Sequence, residues 1–95
     1  MSQTLGYLGT KTSSERRTFT AEGYFREALR LFLEAEDRMG EAQSLNNLGL
    51  IAHKSGDLDE AERLYRESLA IEREIGVRHG EALTLNSLGL IAYNR

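Results

Sequence analysis

The stretch LNNLGLIA at residues 45–52 returns as LNSLGLIA at residues 85–92, and no other feature limits the fold so strongly. Sliding the sequence by 40 positions lays Glu41-Ala42 on Glu81-Ala82. It also lays Leu45, Asn46, Leu48, Gly49, Leu50, Ile51 and Ala52 on identical residues. The preceding halves align without a gap: Ala21-Glu22 falls on Ala61-Glu62, Arg26-Glu27 on Arg66-Glu67, and Leu29 on Leu69. Residues 21–55 and 61–95 share 17 identities in 35 positions. Self-similarity at a fixed period of this length marks stacked supersecondary units that bury their apolar faces on one another.

Each unit reads as two helices. The chain has no Pro, so the strongest helix breaker is missing. Leu45, Leu48 and Ala52 recur at helical spacing on one face. Gly56 then ends that helix as a left-handed cap, and Asp57 caps the next, with Glu60 completing a capping-box pattern. Leu58, Ala61, Leu64, Tyr65, Ser68, Leu69 and Ile75 form the buried stripe of the second helix. Glu62, Arg63, Arg66, Glu67, Glu72, Arg73 and Glu74 are expected on its wet faces, with Glu62 and Arg66 forming an i,i+4 pair. The pattern predicts a helix over 20–38, a helix pair over 41–76 and a closing helix over 80–95.

Leu48-Gly49 in the first helix and Ala61, Tyr65, Ser68 and Leu69 in the second fall where the tetratricopeptide repeat family keeps its signature. The chain resembles that family over residues 18–95. Leu45 and Ala52 replace the two aromatics usual in the first helix, and Ser68 replaces an alanine of the second. The period of 40 exceeds the usual ~34, which is similar to the kinesin-light-chain-like and bacterial subset. The resemblance implies an all-α fold: antiparallel helix pairs stacked as a short right-handed superhelix. It also implies a non-enzymatic role in protein–protein interaction. Gly49 and Ala61 are expected to let two helix backbones approach closely.

The repeat is poor at one end. Residues 1–17 read as a degenerate first helix or a flexible arm, because Gly6 and Gly9 each cost about 1 kcal/mol in a helix interior. TKTSSERRTFT follows as polar linker. In helix 20–38, Tyr24, Phe25, Ala28 and Leu29 are the expected core, whereas Phe32 and Leu33 are extra apolar residues whose counterparts are Glu72 and Arg73. Something is expected to cover them. At the other end, helix 81–95 is a first-type helix with no second-type helix after it, and 95 = 2 × 40 + 15. Helix 81–95 of one copy therefore fits the register place of residues 1–15 of the next. The expected outcome is head-to-tail self-association, as a homo-oligomer or filament, through Tyr24, Phe25, Phe32, Leu33, Leu85, Leu88 and Ala92. The alternative for these ends is a fragment of a larger repeat regulatory protein.

A second functional reading lies on the inner face, which the first-type helices build in arrays of this kind. Off their core stripe stand Gln43, Asn46, Asn47, Leu50, His53 and Lys54, and in the next copy Leu83, Asn86, Ser87, Leu90, Tyr93 and Asn94. Amide side chains offer both a donor and an acceptor, which suits the backbone of an extended peptide. On this reading the chain is a monomeric adaptor with Asn46 and Asn86 as its ladder; otherwise both are repeat residues without a ligand.

Composition excludes other classes. The net charge is −3, with residues 1–20 at +2 and the rest at −5, which opposes nucleic acid or an anionic membrane as partner. The chain has no Cys, and His53 and His79 lie in different segments without a metal-binding motif. No phosphate loop, nucleophile elbow or paired-carboxylate site appears, so no enzyme activity, cofactor or metal is expected. No apolar run is long enough to span a bilayer and no secretory pattern opens the chain. The default compartment is the cytoplasm, or the extracellular space for a filament.

Overall fold

The computed structural model describes residues 20–95, and among these every regular element is a helix. They are α1 (Ala21–Glu34), α2 (Arg38–Lys54), α3 (Leu58–Ile75) and α4 (Arg78–Asn94). Each helix packs on the next in chain order, and the α2–α3 pairing is the most extensive. The arm expected over residues 1–17 lies outside the described residues.

The helix starts follow from single side chains. Thr20, Asp37 and Asp57 accept bonds from the N–H groups of Gly23, Gly40 and Glu60. Each satisfies one of the donors that a helix start leaves without a partner. The capping box at Asp57 is only half made. The Asp57 N–H donates to the Ala52 carbonyl at 2.9 Å, and the Glu60 carboxylate turns to the Arg63 guanidinium at 2.7 Å. That hydrogen bond holds the Glu60 carboxyl below its ordinary range. Val77, at the start of α4, provides no side-chain cap.

The core has two clusters that share Ala52 at their edge. Ala42, Leu45 and Leu48 of α2 meet Leu64 and Ile71 of α3, with Phe25 and Leu29 of α1 against them. Ala61 and Tyr65 of α3 meet Ile91 of α4, with Leu58 and Leu88 alongside. Gly49 is required here, though not for the approach of two backbones: a Cβ on it would lie 2.9 Å from the Tyr65 ring. The ring fills the space that the missing side chain leaves.

Two expectations need correction. The helix expected over 20–38 stops at Glu34, and Arg38 already opens α2. Glu36 takes a left-handed backbone with φ +57°, which lets Asp37 cap the following helix. At the other two turns this conformation falls to Gly56 and Gly76, and a period-40 shift maps Glu36 onto Gly76. The second correction concerns α3. Ile71 and Glu72 are buried, whereas Ile75, expected in the stripe, is exposed, so the buried face turns further round the helix than the apolar spacing implied.

A left-handed conformation costs a residue with a Cβ about 1–2 kcal/mol, part of which glycine gives back in unfolded-chain entropy. Glu36→Gly is therefore expected to stabilise the fold by about 0.5–1 kcal/mol, read as a rise of a few degrees in the thermal midpoint. An unchanged or lower midpoint would show that the turn carries no strain.

Candidate functional site

Because α2 and α4 are copies of one helix on the same side of α3, they leave a groove between them. It encloses about 540 Å³. Met39, Gln43, Asn46, Asn47 and Leu50 line one side, and Val77, His79, Leu83 and Ser87 the other. Tyr65, Glu72 and Ile75 of α3 reach its floor. Met39, Leu50 and Leu83 are large apolar side chains left half-exposed on the walls. Burial pushes the Tyr65 phenol above its ordinary range, against a smaller opposite pull from its hydrogen bond with Ser87.

Beneath the groove a polar knot ties three helices together. The Asn46 amide nitrogen lies 2.6 Å from Ser68 Oγ, 3.0 Å from Thr84 Oγ1 and 3.1 Å from Glu72 Oε2. Ser68 Oγ donates to the Ala42 carbonyl at 2.9 Å, and Thr84 Oγ1 donates to Glu72 Oε1 at 2.7 Å. Ser68, Glu72 and Thr84 are all buried. The expectation that Glu72 faces water is thus overturned. Its counterpart Phe32 lays its ring over Gly40, and Glu72 reaches over Gly80 in the same way. In both repeats a glycine accepts a large side chain from the helix before it.

The expected groove residues divide. Gln43, Asn46, Asn47 and Leu50 line the groove, but the Asn46 amide nitrogen is engaged with the interior. Asn86, Leu90 and Tyr93 are exposed and do not line it, nor do His53 and Lys54. Leu83 and Ser87, also expected on the inner face, do line it, whereas Glu72 and Met39 are groove residues that the helical spacing does not point to.

The residues expected at self-association contacts divide too. Phe25 packs against the α2–α3 cluster and Phe32 lies on Gly40, and each stays partly exposed. Tyr24, Leu33, Leu85 and Ala92 are exposed, and Leu88 is half-buried against the Tyr65 cluster. A cleft of about 390 Å³ lies beside α4, lined by Glu62, Arg66, Leu69, Leu88, Ile91, Ala92 and Arg95. The same cleft recurs one repeat earlier, lined by Glu22, Arg26, Leu48, Ile51, Ala52 and Ser55, where Asp57 and, on α3, Glu60 and Leu64 close it.

Among the described residues, no group of three or more His, Cys, Asp or Glu side chains converges as a metal site. None of their helices is long and apolar enough to cross a membrane.

Stacked helix hairpins with a 40-residue register and a groove between their first helices define a helical-repeat solenoid. A family model described as tetratricopeptide repeat matches residues 3–74 and again 42–95, and the chain belongs to that family. Repeats of this family generally mediate protein–protein interaction. No curated protein and no solved structure matches the chain.

The two asparagines at one repeat position should behave differently. Asn46→Ala removes the amide donor to the buried Ser68 Oγ and one of the two donors to the buried Glu72 carboxylate, and is expected to cost about 1–3 kcal/mol in chemical denaturation. Asn86→Ala, on an exposed face, should stay within about 0.5 kcal/mol. Equal costs would contradict the knot.

Proposed function

We propose that the chain is a non-enzymatic protein-interaction scaffold whose two end faces pair head to tail between copies. Its inner groove serves a second, separable contact with an extended peptide. The observation carrying the first contact is Gly89. One repeat back, the Tyr65 ring lies against Gly49; at Gly89 a Cβ would meet no described residue within 4 Å. The space that takes a ring in one repeat stands open in the next.

Burial repeats the same contrast. Leu64 and Ile71 of α3 are 3% and 5% exposed, but their counterparts Tyr24 and Leu31 of α1 are 63% and 51% exposed. Leu45 of α2 is 4% exposed and its counterpart Leu85 of α4 is 44% exposed. Among the described residues no second-type helix lies on the face of α4, and α1 is a second-type helix whose matching face no described residue covers. Continuing the register lays Tyr24, Ala28 and Leu31 of one copy over Leu85 and Leu88 of another, and the Phe25 ring over Gly89. Such a contact is heterologous and propagates unless its rotation closes a ring. The peptide reading is favoured by the 540 Å³ groove, whose half-exposed Met39, Leu50 and Leu83 offer apolar contact.

Sedimentation velocity tests the end-to-end contact. The chain is expected to associate at tens of micromolar, and Gly89→Leu to weaken association at least about tenfold. The variant should remain folded, because Gly89 is exposed, a Cβ there meets no described residue within 4 Å, and glycine is the poorer helix former by about 1 kcal/mol. Leu85→Glu should act likewise, and Asn86→Ala should change nothing. A monomer at high concentration, or association indifferent to Gly89→Leu, would remove the head-to-tail reading.

A further inference from the structure

We infer that the inner groove selects a peptide carrying one basic side chain, with the Glu72 carboxylate as its counter-charge. This rests on the peptide reading of the groove given above. Glu72 is 5% exposed, yet it is one of the residues lining the groove. Its carboxylate accepts from Asn46 Nδ2 at 3.1 Å and from Thr84 Oγ1 at 2.7 Å, and both donors are neutral. A carboxylate has about four acceptor positions, so two remain.

Among the described residues no cation pairs with it. The arginines of the same region are engaged elsewhere: Arg38 with Glu41 and Glu74, Arg73 and Arg78 with Glu81. The one basic residue in the groove lining is His79, which is exposed. A buried carboxylate held only by neutral dipoles gains most from a cation that arrives already desolvated by its neighbours. The half-exposed Met39, Leu50 and Leu83 around it supply that apolar environment. A peptide with lysine or arginine between apolar residues therefore complements both the charge and the walls. The preceding repeat has no equivalent, since Phe32 stands at the position of Glu72.

The probe is an array of acetylated, amidated heptapeptides with apolar flanks and arginine, lysine, citrulline or norleucine at the centre. Binding is read by fluorescence anisotropy on the full chain and on Glu72→Gln, whose helicity is checked by circular dichroism. The expected result is at least tenfold tighter binding of the arginine or lysine peptides than of the citrulline and norleucine peptides. Glu72→Gln should bring that ratio close to one. Equal binding of charged and neutral peptides by the unaltered chain would overturn the inference and leave the groove reading standing. A preference that survives Glu72→Gln would do the same. Absence of binding across the array would overturn both.

Discussion

A single amide joins three of the four described helices. Asn46 stands on α2, yet its nitrogen lies within hydrogen-bond distance of Ser68 and Glu72 on α3 and Thr84 on α4. Apolar packing alone would let neighbouring repeats slide or rotate at little cost, because leucines on a helix face tolerate many partners. A buried polar group has few acceptable positions, since an unmade bond is costly. The knot therefore fixes how α4 sits on the α2–α3 pair, and with it the width of the groove above.

The helices, their caps and their turns were largely legible in the sequence. The 40-residue period fixed the unit, Asp57 marked a start, and Gly56 marked a turn that the structure gives a φ of +85°. What escaped followed from interactions between elements. Glutamate on a helix is ordinarily a solvated residue, and nothing in the spacing of Glu72 signals that Gly80 leaves room for it beneath the next helix. Glu36 gave no sign of a turn because the left-handed position it occupies is one that glycine usually fills. Asn46 was read as facing the groove, as its place on α2 implies, but the direction of its amide depends on Ser68 and Thr84, 22 and 38 residues away.

The two copies of the repeated phrase hold different positions in the molecule. Residues 45–52 lie between two neighbouring helices, and residues 85–92 have α3 on one side only among the described residues. Identical residues therefore carry different roles: Gly49 receives a ring and Gly89 does not, and Asn46 is a structural joint while Asn86 is exposed. In a molecule built by repetition, the sequence of one unit describes its shape, and its neighbours decide what it does.

That arrangement also governs how the molecule comes apart. In a linear stack each unit draws stability from nearest neighbours, so opening proceeds inward from the outer elements. Among the described helices α1 and α4 each have one neighbour, while α2 and α3 each have two. Amide protons of α4 should therefore exchange with solvent through local fraying well before those of α3. Anything that docks on α4 suppresses this fraying by mass action and adds its binding free energy to the stability of the array. Under the end-to-end proposal, docking and persistence of the fold are a single equilibrium, and the concentration of the docking copy sets how much of α4 stays ordered.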